Sequence, residues 1–507
     1  MSTPAVLLCG GAIFSHSHAD SLAIEGDRIL AVGRRTELSE RLGGRARLVE
    51  LDGRAVLPGF VDAHVHLFHT GLSESGWRVD LAGLDRAATA EALEAVVRQR
   101  GAREWVVGVG WDESAWADRR YLERRELDRI APDAPLMAVR MDGHLVVANA
   151  AALRWADEHE VPDLDPGLVD AERGILRETA AWALLRAVRP DRATLIEAMR
   201  AAVGHCHAQG ITAVHTMSAA ERLDIVEQEA QRLRLRIAVY APADASLDWE
   251  SLAGDRDGRD PWARLAGAKI FSDGSIGAQN AAVGAPYLDG GVGSLNWDDD
   301  PLRRWIERAE RIGRPTAIHA IGDRAIDQVL RLHEKTRTTT ALRHRIEHFE
   351  LPAPGHIERA RDVGITVCMQ PNFIGRWSGP GSMYEDRLGV DRDAASNPLR
   401  RVLDAGLDLA LGSDGMPISP LYGIHSAVNA PFLGQRLMVD EAVVGYTRAG
   451  IRLAFDDLDA GRIEPGAIAD LVVLDEDPRL DPGTIAERAV EETYVGGVRV
   501  FARETAP

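Results

Sequence analysis

Leu57-Pro-Gly-Phe-Val-Asp-Ala-His-Val-His66 is the stretch on which the reading of this chain turns. The apolar run Ala55 to Val61 leads into two histidines, His64 and His66, two positions apart. Alternate residues of a strand share a face, so both imidazoles point the same way. Imidazole is the commonest protein ligand for zinc and similar ions, and two on one face at a strand's end form half of a tetrahedral or five-coordinate site. The pair alone is equally what satisfied core histidines look like, so its meaning depends on what else ends a strand.

Three further segments repeat the pattern of an apolar run closed by a polar group. Arg314-Pro-Thr-Ala-Ile-His-Ala-Ile-Gly-Asp323 presents His319, Arg343-His-Arg-Ile-Glu-His-Phe-Glu350 presents His348, and Leu407-Asp-Leu-Ala-Leu-Gly-Ser-Asp414 presents Asp414. Between them lie amphipathic stretches such as Ala325 to Glu334, with apolar positions at helical spacing. Strand and helix in alternation predict an α/β fold with a parallel sheet. Polar residues at the C-terminal ends of several strands are where a closed (β/α)₈ barrel of TIM type places its chemistry.

One more strand-like segment, Leu265-Ala-Gly-Ala-Lys-Ile-Phe-Ser-Asp273, carries an amine. Of the 59 Lys and Arg side chains only Lys269 and Lys335 are lysines. Arginine cannot lose its proton in a protein, whereas a buried lysine does so readily and then serves as a nucleophile or takes up carbon dioxide as a carbamate. Lys269 is therefore a chemical candidate, against the plain alternative that a few lysines survive anywhere.

With these residues in place the sequence resembles the amidohydrolase superfamily of metal-dependent hydrolases over nearly its whole length. Within it, the chain is similar to amidohydrolase family 3, the branch of the N-substituted formamide deformylases and YtcJ-like proteins. The resemblance implies a binuclear ligand set: His64 and His66 match the first-strand His-x-His, and Lys269 the carboxylated lysine. His319 and His348 match the fifth- and sixth-strand histidines, and Asp414 the eighth-strand aspartate. It implies two divalent ions, zinc by ligand type, bridged by carboxylated Lys269, and cleavage of a non-peptide C–N bond (amide, N-formyl or N-acyl) by a metal-bridging hydroxide. Asp414 would then carry the proton to the leaving nitrogen. Branch-level signs are Gly108-Val-Gly-Trp-Asp-Glu113, Met141-Asp-Gly-His-Leu-Val-Val-Ala-Asn149 and Ser272-Asp-Gly-Ser-Ile-Gly277. One departure stands out: Gln279 and Asn280 occupy positions where relatives often carry Arg-Thr, which removes a cation.

A chain of 507 residues exceeds one ordinary core and fits a barrel of roughly 250 residues plus further lobes. The ends of the chain read as strands, including a strand pair in Met1–Phe14 and a hairpin turning at Glu25-Gly-Asp27. The resemblance joins both ends in a small composite β-sandwich, 1–57 with 462–507. The barrel would comprise 58–70 and 196–461. The insertion before the strand at Gly210–His215 spans roughly 120 residues, far beyond the usual βα loop of ~2–6, so 71–195 is expected to be a folded α/β lid lobe over the barrel mouth.

A net charge of −19 argues against nucleic acid or an anionic membrane as partner. No apolar run approaches the ~20 residues of a membrane span. The three cysteines are scattered, which suits a reducing cytoplasm. The partners expected are a small-molecule substrate and, as an assembly, a second copy in a homodimer. His144, in the lobe, is a candidate hydrogen-bond donor to a substrate carbonyl, with loop stabilisation as the alternative. His215 closes the strand before it and reads as structural, while Trp111 and Trp116 fill the lobe's core more naturally than they line a substrate wall. Two other functions share the site: a lactone or phosphoester hydrolase, since the same nucleophile attacks all these electrophiles, and an inactive metal-binding or scaffold protein, which has no need of an intact ligand set.

Overall fold

The computed structural model describes residues 5–504 apart from 101–103, 114, 115, 142, 144, 163, 219, 245, 246, 255, 257 and 258. Eight parallel strands form one sheet in chain order: β1 (Phe60–Val65), β2 (Ile211–Met217), β3 (Arg236–Pro242), β4 (Ala263–Phe271), β5 (Thr316–Ala320), β6 (Arg345–His348), β7 (Thr366–Met369) and β8 (Leu409–Leu411). Strands β1, β2, β5, β6, β7 and β8 are buried along their whole length, as a parallel sheet covered on both faces requires. The last strand returns to the first. A Cβ at Gly412 would lie 2.5 Å from the backbone nitrogen of His64, so only glycine lets the two chains approach there. The result is the nearly closed TIM-like barrel that the strand–helix alternation predicts.

Two smaller sheets are built from the ends of the chain, the first from the N-terminal end alone and the second from both ends. One has the order Arg28–Gly33, Ser21–Glu25, Val6–Cys9, Arg47–Glu50. The other runs Ala12–Ile13, Ala55–Pro58, Leu471–Leu474, Val490–Val495, Val498–Ala502, with Leu474 opposite Ala55 and Leu471 opposite Pro58. The strand pair expected in Met1–Phe14 is thus corrected: its two strands belong to different sheets. The cause is the Gly10-Gly11 step, where Gly10 takes a φ of +77° and a Cβ on Gly11 would meet the Arg54 carbonyl oxygen at 2.3 Å. A buried ion pair, Arg236 Nε to Asp470 Oδ2 at 2.7 Å, fastens the foot of β3 to this region.

The chain divides into two compact units, Met1–Leu67 with Val203–Pro507, and Phe68–Ala202. The second has its own six-stranded sheet, ordered Val169–Asp170, Ile175–Arg177, Leu145–Ala148, Leu136–Arg140, Val106–Trp111, Arg78–Asp80. Trp111 and Trp116 stack in its core, 5.7 Å between ring centres, as the sequence reading favoured. Among the described residues no helix is long and apolar enough to cross a membrane.

Candidate metal centre

The sequence candidates described by the structure gather at the C-terminal ends of the barrel strands. His64 lies on β1 and His66 just beyond it, Lys269 on β4, His319 on β5, His348 on β6, and Asp414 three residues past β8. The Asp414 Oδ1 oxygen is 3.1 Å from His66 Nε2 and 3.5 Å from His64 Nε2. Ligand atoms of these three residues all lie within 4.8 Å of one another, a spacing that one ion can span. Ring centres separate His64 from His348 by 4.9 Å and His348 from His319 by 4.5 Å.

Each ring is oriented by a second partner. His64 Nδ1 donates to Glu347, His348 Nδ1 donates to the Gln370 Oε1 oxygen at 2.7 Å, and His319 Nε2 donates to the Gly274 carbonyl at 3.0 Å. The nitrogen opposite each bond is left with its lone pair free to ligate, an arrangement typical of metal-binding histidines. For His319 that atom is Nδ1, which is buried without a hydrogen-bond partner among the described residues. Lys269 Nζ is in the same condition, 4.7 Å from the centre of the Phe271 ring.

Protonation agrees with ligation, which needs neutral imidazole and ionised carboxylate. Burial, reinforced by Lys269, holds His64 well below its ordinary value and His319 at about 4. Burial and then the neighbouring His319 do the same to His348. Burial alone would raise Asp414, but His64, His66 and Lys269 hold its carboxyl well below the usual range. Burial brings Lys269 down to about 8, against the pull of Glu347 and Asp414. The donor set and its protonation therefore fit divalent ions of the zinc type.

In the nearby trio His64, Glu347 and Cys368, burial raises the thiol well above its ordinary value and Cys368 Sγ donates to the Ala63 carbonyl at 3.5 Å.

Several site residues were missed at the level of sequence. Glu347 sits in the Arg345-Ile-Glu-His348 segment as one of two opposite charges two positions apart, a spacing that puts both on one face of a strand and is itself a signal. Gln370 follows β7 as a polar residue ending an apolar run, the same rule that singled out His348. Asp273 accepts from the backbone of Ala282 at 2.9 Å, Ile321 at 3.0 Å and Gly322 at 2.8 Å, tying together the segments after β4 and β5. Burial pushes its carboxyl up to about 7 in spite of those bonds.

Two further groups of candidates have partners of their own. His215 lies within β2, fully buried, and accepts from Arg345 at 2.8 Å. Asn280 accepts from the Ser275 backbone at 2.7 Å and Gln279 donates to Asp289 at 3.1 Å, so this pair shapes the loop after β4. His144 lies outside the described residues.

The family model described as the amidohydrolase family matches residues 47–501. The chain belongs to that family. It is accordingly a hydrolase of the class that acts on carbon–nitrogen bonds. Over 97% of its length this amidohydrolase is 30% identical to the putative amidohydrolase YtcJ of Bacillus subtilis (strain 168), covering 99% of that protein. It is 28% identical to the N-substituted formamide deformylase of Arthrobacter pascens, covering 96% of each chain. Its structure resembles an uncharacterized metal-dependent hydrolase from Pyrococcus horikoshii OT3, with a TM-score of 0.78, 26% identity, and coverage of 94% of this chain and 99% of that one.

Proposed function

We propose that this amidohydrolase hydrolyses a non-peptide C–N bond of a small amide, an N-formyl or N-acyl compound, with two zinc ions held by His64, His66, Lys269, His319, His348 and Asp414. The observation that carries the reading is the convergence of neutral imidazoles and an ionised carboxylate beside two buried atoms, His319 Nδ1 and Lys269 Nζ, that have no hydrogen-bond partner among the described residues. When bound, the ions supply Lewis acidity, polarising a carbonyl and making water acidic enough to be a nucleophile near neutral pH.

The rest belongs to the chain. The amine of Lys269, held at about 8, is roughly one-tenth in the neutral form at pH 7, some hundreds of times more than an ordinary lysine. That form adds to carbon dioxide with loss of one proton, and the resulting carbamate offers two oxygens in place of one nitrogen. Asp414 takes a proton from the attacking water and passes it to the leaving nitrogen, giving a carboxylic acid and a free amine. His144, read from the sequence as a hydrogen-bond donor to the substrate carbonyl, is kept as part of this proposal. The free and buried Cys9, Cys206 and Cys368 support a reducing compartment, the cytoplasm.

The test has two arms. Elemental analysis of protein grown with added zinc is expected to give about two divalent ions per chain. Loaded protein is then offered N-formyl, N-acyl and lactone substrates, with release of amine expected from one of the first two. Lactone turnover with no amide cleavage would move the enzyme to the ester class, and protein without metal would sink the proposal.

A further inference from the structure

Strand β6 carries two charges inside the barrel, where such interiors are ordinarily filled by branched apolar side chains. The Arg345 and Glu347 side chains both have 0% exposure and are ion-paired, Nε to Oε1. The rest of the guanidinium is committed as well. It donates to His215 Nδ1 at 2.8 Å and to the Ala63 carbonyl at 3.0 Å, and it lies 4.2 Å from the centre of the Tyr240 ring. The second oxygen of Glu347 accepts from His64 Nδ1.

Stability is a poor account of this chain of contacts. Removing two charges from water costs several kcal/mol per ion, and apolar residues of like volume often serve a core as well or better. What the pair does have is direction: it starts among buried residues of β2 and β3 and ends on the imidazole of a candidate ligand. A neutral imidazole carries one ring proton, and a carboxylate at Nδ1 keeps that proton there, leaving the Nε2 lone pair on the side of His66 and Asp414.

We infer that Arg345 and Glu347 form a positioning pair for the metal centre, in which Glu347 sets the tautomer and orientation of His64 and Arg345 balances the carboxylate's charge in the core. The inference rests on the metal-site reading above. Partners of this kind contribute about 10–100-fold to metal affinity.

Zinc affinity is measured by competition with a chromogenic chelator, and melting on the metal-free protein, for the full chain and its variants. Glu347→Asp keeps the ion pair but draws the carboxylate back by one methylene; it is expected to melt near the parent and bind zinc about 10–100-fold more weakly. Glu347→Gln leaves Arg345 as an unbalanced buried cation and is expected to melt lower. Adding Arg345→Met is expected to restore melting and leave zinc affinity low. A double variant that melts like the parent and binds zinc as tightly would reduce the pair to a structural element and overturn the inference. Should the variants not fold, the zinc-loaded parent labelled with ¹⁵N-histidine decides: a strongly deshielded Nδ1–H on His64 is expected, and a proton on Nε2 overturns the inference. A parent that binds no zinc fails at an earlier point and takes the metal-site reading with it.

Discussion

The backbone N–H of Asp414 donates to the carbonyl oxygen of His64 at 2.8 Å. This bond stitches the end of β8 to the end of β1 at two residues whose side chains meet in the candidate metal centre, so the spacing of those proposed ligands is fixed by backbone. Ser413 N adds a bond to Asp62 at 2.9 Å beside it. Asp414 itself has a φ of +53°, a left-handed conformation that costs a non-glycine residue of order ~1–3 kcal/mol and persists only where its surroundings determine it.

Asp414→Asn keeps the size of the side chain and the backbone stitch while removing the carboxylate. Its expected effect is a loss of turnover of about 10²–10⁴-fold, the usual worth of general acid–base help, with the fold unchanged. Turnover and metal content are measured together. Parent-like turnover in the variant would take the proton transfer away from Asp414.

His144→Ala tests the donor assigned to the carbonyl. Turnover on a good substrate is expected to fall while the metal content stays that of the parent, because His144 is outside the ligand set. Equal turnover in the two proteins would return His144 to a loop-stabilising role.

The barrel and the residues that end its strands were legible because burial on both faces leaves long aliphatic runs, and a polar residue at the close of such a run stands out. Alternation sends His64 and His66 to one side, and their Nε2 atoms lie 3.5 and 3.1 Å from Asp414 Oδ1. It fails on β6: Glu347 and Arg345 share a face, and strict alternation would send His348 to the other. A φ of +74° at His348 and +51° at Phe349 breaks the pattern and brings the His348 ring to 4.9 Å from that of His64. No sequence period encodes such a kink. Glu347 and Gln370 were passed over for a different reason: each hydrogen-bonds a candidate ligand and is not one in the proposed set. The division of the first two strands between separate sheets depends on the close approach of Gly11 to Arg54, a contact between segments far apart in the chain.

Acid sensitivity is expected from a cluster away from the centre. His333, in the helix Asp323–Thr336, is buried with its ring 4.8 Å from that of His344, and burial followed by the His344 charge holds it well below its ordinary value. The unfolded chain therefore takes up a proton first as pH falls. Its contribution is fully present above the unfolded value of ~6.5 and is lost below it at up to about 1.4 kcal/mol per pH unit. Asp62, Asp273 and Glu350, which burial raises to about 6, 7 and 7, work in the opposite direction in the same range, so the parent alone is uninformative. The difference in stability between parent and His333→Leu cancels them. It is expected to shift against the parent between pH 6.5 and 5.5, and a flat difference would mean that the ring is not held neutral.

Lys269 gives the sharpest contrast between a carbamate and a plain cation. If it bridges two ions, Lys269→Ala is expected to lose metal and activity together. Lys269→Arg should do no better, since a permanent guanidinium charge repels the cations that a carbamate would hold. Short carboxylic acids are then expected to restore part of the activity of Lys269→Ala by supplying two oxygens to the vacated space, and to do nothing for Lys269→Arg, where that space stays filled. A charge or packing role predicts the reverse order, with arginine largely tolerated and no rescue. The deciding measurement is metal content and amide hydrolysis of Lys269→Arg beside the parent. A variant that keeps both would remove the carbamate and leave a single ion on His64, His66 and Asp414, whose ligand atoms already lie within 4.8 Å of one another.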